Sequence, residues 1–306
     1  MQIVSKIGLI LMVLQTVSCS VKNGASRLET IENFESKLIR SRKVQIYLPP
    51  SYDNSNKSYA VLYMHDGQML YDSTSTWNGQ EWGVDETMDR LIKEGKIVET
   101  IVVGVDNGDE LRHSEYFPQK PFESLEESFT DSLYEINRNT ERPLFASKVQ
   151  SDQYLKFIVE ELKPYIDKTY RTQPVKQNTF VAGSSMGGLI SMYAICEYPE
   201  VFGGAICMST HWPGIFTAEN NPIPQAFFSY LKENLPDPQN HKLYFDYGTE
   251  TLDAMYEPFQ LEADQIIRDA GFNDSNFWTK KFEGEAHTEI AWQKRFHIPL
   301  TFNLAK

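Results

Sequence analysis

The residues that invite chemistry are a serine set among glycines and a histidine near the C-terminus. Gly183-Ser184-Ser185-Met186-Gly187 fits G-x-S-x-G, the pattern of a nucleophile held on a sharp turn between a strand and a helix. Ser185 is the central residue; counting from Ser184 puts the flanking glycines at the wrong offsets. Thr179-Phe180-Val181-Ala182 reads as the strand leading in, and Met186 to Glu197 as the helix leading out, ended by Pro199. Small residues at 183, 187 and 188 let the turn pass close to its neighbours. The helix N-terminus behind Ser185 favours a developing negative charge. A hydroxyl so placed is a candidate nucleophile for acyl transfer.

Such a hydroxyl needs a base, and the chain order for this arrangement is serine, acid, histidine. His65 and His113 precede Ser185 and are excluded by that order. His211 follows a strand too early to leave room for an acid, His241 precedes a strand, and His297 falls in a C-terminal helical segment. His287, in Glu283-Gly284-Glu285-Ala286-His287, directly follows the last predicted strand and is the candidate base. The acid should follow the strand Lys242 to Tyr247, near Gly248-Thr249, where Glu250 and Asp253 compete. Asp253 is the preferred candidate, and Asp246 inside the strand reads as structural. A carboxylate there fixes the histidine tautomer and stabilises the imidazolium.

Acyl transfer also needs two donors for the oxyanion. The backbone N–H of Met186 is one candidate. The second is the N–H of Gln68, in the loop His65-Asp66-Gly67-Gln68 after the strand ending at Met64. His65 and Asp66 read as a hydrogen-bonded pair that shapes the loop. This chemistry requires no metal and no cofactor.

The elements that must position these groups alternate along the chain. Short apolar strands at Val44–Leu48, Tyr59–Met64, Ile101–Val105, 179–182, 204–208, 242–247 and 277–282 are separated by helical patterns at 152–166, 186–197 and 260–270. That alternation predicts an α/β fold, a mostly parallel sheet with helices on both faces. Residues 106–150 show no clear period, apart from a helical stretch around Leu125 to Leu133, and read as an insertion beside the site. The aromatics Tyr116, Phe117, Phe122 and Phe129 in it, with Trp77 and Trp82, read either as rings that stack on a substrate or as the hydrophobic core of a lid, and Arg112 is a candidate for binding an acidic group.

The N-terminus carries one charge, Lys6, before an apolar run from Ile7 to Val17. This reads as an export signal over residues 1–18. Ser18-Cys19 resembles the lipobox of bacterial lipoproteins, which makes Cys19 the expected lipid attachment point. The expected organisation is signal 1–18, linker 19–27 and one catalytic domain 28–306. The expected location is the periplasm, outer membrane or cell surface, with membrane contact only through the lipid anchor. Three cysteines exclude a disulfide framework and show no zinc spacing. A formal charge of −13 disfavours nucleic acid as a partner.

Together, Val61-Leu62-Tyr63-Met64-His65-Asp66-Gly67-Gln68, Gly104-Val105-Asp106-Asn107, Arg112 through Tyr116, Gly183 to Gly188 and Tyr198-Pro199-Glu200-Val201-Phe202 resemble a bacterial esterase family. That branch of the α/β-hydrolases includes enterochelin (siderophore) esterases, feruloyl and acetylxylan esterases, S-formylglutathione hydrolases and mycolyltransferases. The resemblance runs from about residue 28 to the C-terminus. It implies Ser185 as nucleophile, His287 as base and the amides of Met186 and Gln68 as oxyanion donors. The expected reaction is hydrolysis of a small-molecule or glycan ester, of acetyl, feruloyl or siderophore type. An acyltransferase on the same scaffold and a non-catalytic glycan-binding lipoprotein are the alternatives.

Overall fold

The computed structural model describes residues 24–306. Cys19 and the signal segment lie outside the described residues. Eight strands form one sheet: β1 Arg27–Phe34, β2 Arg42–Leu48, β3 Ala60–His65, β4 Thr100–Val105, β5 Thr179–Ser184, β6 Gly204–Met208, β7 Lys242–Gly248 and β8 Phe277–Phe282. Their spatial order is β1-β2-β4-β3-β5-β6-β7-β8. β1 and β2 run antiparallel to their neighbours, and the rest of the sheet is parallel. The expected α/β architecture is the observed one.

The central strands are apolar without interruption because both faces of the sheet are covered. Every residue of β3, β4 and β5 is buried. Successive side chains alternate between two cores, as a pleated strand requires. Val61 and Tyr63 enter one core, with Leu189, Ile190 and Tyr193 of the helix Met186–Glu197 and with the helical run Ser151–Thr169. Leu62 and Met64 enter the other, with Met88 and Leu91 of the helix Val84–Lys93 and with Trp292, Phe296 and Leu300 near the C-terminus. The helix after Ser185 is buried on all sides, which explains why it shows no polar face.

The edges differ in composition. β1 (RLETIENF) is largely exposed, and β8 (FWTKKF) presents Lys280 and Lys281, so charge blunts both open edges. β1 begins at Arg27, inside the segment expected to be linker. No helix among the described residues is long and apolar enough to cross a membrane.

The stretch 106–150 is more ordered than its lack of period suggests. Short helices occupy Arg112–Tyr116, Gln119–Glu123 and Glu127–Tyr134. Tyr116, Phe117 and Phe122 are buried, and Phe129 packs against the same core. Trp82 is also buried. Those aromatics are therefore core, not stacking surface; of the set, Trp77 alone is widely exposed, at 84%.

Candidate active site

The parallel strands β3, β5, β7 and β8 deliver their loops to one end of the sheet, the C-terminal ends where α/β folds place ligands. At the end of β5, Ser185 has φ 58° and ψ −122°, a region costly for any residue with a side chain. The turn closes because residue 183 is glycine: a Cβ there would lie 2.6 Å from the carbonyl carbon of Gly187. Ser185 is held by its N–H on the Met208 carbonyl (2.9 Å) and by its own carbonyl, which accepts from the His211 N–H (3.2 Å). Met186 opens the helix, so its N–H is among those without an intrahelical partner.

The loops after β7 and β8 are zipped together. The N–H groups of Thr249 and Glu250 donate to the Glu285 carbonyl at 3.0 and 3.1 Å, and the His287 N–H donates to Thr251 Oγ1 at 2.9 Å. A Cβ at residue 248 would lie 2.1 Å from the Glu285 oxygen, so the approach requires Gly248. The short 3-10 turn Thr251–Met255 then carries Asp253 inward, where it is 1% exposed. His287 Nδ1 lies 2.5 Å from Asp253 Oδ1. Glu250 is exposed. The structure thus brings Asp253, not Glu250, to His287.

Asp253 has its second oxygen fully engaged. Oδ2 accepts from Ser209 Oγ and from the Gly248 N–H, both at 2.6 Å. Burial pushes the Asp253 carboxyl up, but the bonds from His287, Ser209 and Gly248 outweigh it and hold it below the ordinary range. Ser209 in turn accepts from Trp292 Nε1 (2.9 Å) and Arg295 Nη2 (2.8 Å). Arg295 Nη2 also reaches Asp246 Oδ1 at 3.0 Å, and both side chains are buried. Asp246 is structural, as expected; burial raises its carboxyl pKa despite the arginine. Trp292 places its ring edge-on to His287, centroids 4.9 Å apart. Sequence reasoning missed Ser209 and Arg295, which reach Asp253 and Asp246 only through tertiary contacts, and Trp292, which bonds Ser209.

This support predicts a stability effect. Arg295→Met leaves Asp246 buried without its counter-charge and should cost roughly 3–5 kcal/mol. Adding Asp246→Asn should recover a large part. Urea unfolding of the single and double variants checks this; equal losses in both would contradict the coupling.

The loop after β3 is built for rigidity. Asp66 takes a left-handed conformation (φ 58°) ahead of the turn Gly67–Met69. His65 and Asp66 do not bond each other. His65 Nδ1 pairs with the Tyr154 hydroxyl at 2.7 Å, while Asp66 takes a two-pronged bond from Arg112 at 2.6 and 2.8 Å and one from Asn107 Nδ2 at 2.6 Å. Arg112 is therefore committed to Asp66 rather than open to an acidic ligand. Asp66 and the His65 Cβ border Gly187, which sets this loop against the first turn of the helix after Ser185. The Gln68 side chain accepts from the Asn107 N–H at 3.2 Å and so ties this loop to the one after β4. Arg112→Gln is expected to lower kcat/KM about 10- to 100-fold by loosening this loop, with esterase kinetics as the measure. An unchanged rate would show that the pair does not position the loop.

Burial also keeps histidines neutral around the site. It pushes His65 down to about 4 and His113 to about 3. In the unfolded chain both titrate near ~6.5. Their contribution to stability is therefore complete above that value and is lost as pH falls toward the folded values, because only the unfolded state takes up protons there. By about pH 5 each should cost roughly 2 kcal/mol. Urea midpoints at about pH 7.5 and 5 should differ accordingly; equal midpoints would overturn this account.

The remaining expected groups lie elsewhere. His241 is buried with both ring nitrogens on main-chain carbonyls, of Asp237 and Pro199. His297 bonds the Lys294 carbonyl. Cys196 and Cys207 are buried free thiols. A cleft of about 720 Å³ lined by Gly203, Lys242 and Asn276 opens at the opposite ends of the strands, away from Ser185. Among the described residues no cluster of His, Cys, Asp and Glu could hold a metal ion.

Comparison with known proteins bears on the fold and the family. The protein YbbA of Bacillus subtilis (strain 168) is 28% identical over 264 residues, 84% of this chain and 90% of that protein. The ferri-bacillibactin esterase BesA of the same organism is 23% identical over 287 residues, 87% of this chain and 88% of its own. The solved structure of a ferulic acid esterase superposes with a TM-score of 0.66 at 21% identity, covering 92% of this chain and 98% of its own, which shows a shared fold. The model of the family described as "Putative esterase" matches residues 36–298. The chain belongs to that esterase family, and with it to the carboxylic ester hydrolases.

Proposed function

We propose that the protein is a serine esterase working through Ser185, His287 and Asp253. The observation that carries the reading is the His287 Nδ1–Asp253 Oδ1 contact of 2.5 Å beside the strained turn at Ser185. His287 takes the Ser185 proton as Oγ attacks the ester carbonyl, and the N–H groups of Met186 and Gln68 receive the oxyanion. His287 then returns the proton to the leaving alcohol. Water, activated by the same imidazole, frees the acid from Ser185 and restores the enzyme. Asp253 stays ionised throughout, consistent with its depressed pKa.

The substrate we propose is a glycan acyl ester of acetyl or feruloyl type, or a siderophore ester. The names of a ferulic acid esterase and a ferri-bacillibactin esterase among similar proteins support that range. An exported enzyme lipidated at Cys19 would meet either class in the cell envelope. Hydrolysis of p-nitrophenyl acetate, methyl ferulate, acetylated xylan and a catecholate siderophore, compared by kcat/KM, tests the reading. Turnover of the last three no faster than p-nitrophenyl acetate would overturn the substrate proposal. Transfer of the acyl group to an added sugar, in place of release to water, would identify an acyltransferase.

A further inference from the structure

One buried pair beside Ser185 has no part in the triad. His211 and Tyr256 are 2% and 0% exposed, and His211 Nδ1 lies 2.6 Å from the Tyr256 hydroxyl. Chain order excludes His211 as the base, and the Asp253 carboxylate is already taken by His287. Yet both residues are tied to the reacting groups. The His211 N–H donates to the Ser185 carbonyl, and the Tyr256 N–H donates to the Asp253 carbonyl at 2.9 Å. The Tyr256 ring meets His287 edge-on, centroids 5.8 Å apart, so the phenol bonded to His211 lies against the triad base. Phe216 covers the other side of His211, centroids 6.2 Å apart.

Resting on the serine-esterase reading, we infer that Tyr256 and His211 are positioning residues for Ser185: the Tyr256 hydroxyl donates to Ser185 Oγ and His211 Nδ1–H donates to Tyr256. A phenol has one proton to give. If it went to His211, the Tyr256 oxygen would accept the Ser185 proton and compete with His287. With the proton on His211 Nδ1, the phenol instead points its own proton at Oγ. The Ser185 O–H is then left to His287. No proton crosses this pair during the reaction; the Ser185 proton moves to His287 Nε2 and Tyr256 keeps its own. Burial supports both protonation states. It raises the Tyr256 phenol well above its usual range, so the phenol stays protonated, and it drives His211 well below its own, so the imidazole stays neutral. Two polar groups buried this deeply are costly unless each satisfies the other. Their placement against the nucleophile, rather than in the core away from it, is what gives the pair a role.

The test uses the full-length protein and p-nitrophenyl acetate, with Ser185→Ala as reference. Tyr256→Phe should lower kcat about 10- to 100-fold with KM changed less than threefold. His211→Asn keeps an amide N–H near the Nδ1 position and should retain at least a third of the wild-type rate. His211→Leu, which offers no donor, should fall as far as Tyr256→Phe. A purely structural role would lower melting temperature and rate together and would not distinguish Asn from Leu. Should Tyr256→Phe fail to fold, the Asn–Leu comparison carries the test. Wild-type kcat in Tyr256→Phe, or equal rates for His211→Asn and His211→Leu, overturns the inference. If Ser185→Ala itself retains turnover, the triad reading fails instead.

Discussion

Ser185→Ala is expected to lower kcat/KM for p-nitrophenyl acetate about 10⁴-fold or more, leaving only what the oxyanion donors and binding supply. The size follows from the proposed covalent step. Without Oγ no acyl-enzyme forms, and His287 can at best activate water directly. The substitution should not destabilise the fold. An alanine still has to adopt φ 58° and ψ −122°, so the strain is unchanged, and the turn is held by main-chain bonds to Met208 and His211. Circular dichroism and melting temperature should match the wild type. A variant with normal folding and undiminished turnover would remove Ser185 from the mechanism.

The second large effect is expected at Asp253. Asp253→Asn should cost about 10⁴-fold in kcat, because an amide donating to His287 Nδ1 selects the wrong tautomer for accepting a proton from Ser185. The neighbours sharpen this expectation. Oδ2 takes two donors, Ser209 Oγ and the Gly248 N–H. An asparagine can satisfy them only by placing its oxygen there, which turns its NH₂ toward His287. Glu250→Gln is the control: that side chain is exposed, and the rate should stay within about twofold of wild type. Kinetics of the two variants side by side decide which acid serves His287. A large loss in Glu250→Gln with little in Asp253→Asn would reverse the assignment.

Much of the arrangement was legible in the sequence for local reasons. The turn at Ser185 depends on small residues at fixed offsets between a strand and a helix, and those are contiguous. The parallel sheet was legible because strands covered on both faces must be apolar throughout. The choice between Glu250 and Asp253 was not settled by local pattern, since both follow β7 within a few residues. It is decided by the glycine approach at residue 248 and by the 3-10 turn that carries residue 253 under His287. Ser209, Trp292 and Arg295 left no local signal, because Ser209 and Arg295 reach Asp253 and Asp246, and Trp292 reaches Ser209, from distant parts of the chain. Arg112 shows the opposite failure. Its charge suggested a ligand, but the partner was Asp66, already in the same loop system. The stretch 106–150 lacked a period because its helices of five to eight residues are too short to display one.

The central claim is that one serine carries the chemistry, and labelling tests it most directly. The full-length protein is treated with a fluorophosphonate, digested and mapped by mass spectrometry. The expected result is one adduct per chain, on Ser185, absent from Ser185→Ala and formed far more slowly in Asp253→Asn. An adduct on another residue, or ester turnover that survives complete labelling of Ser185, would contradict the account.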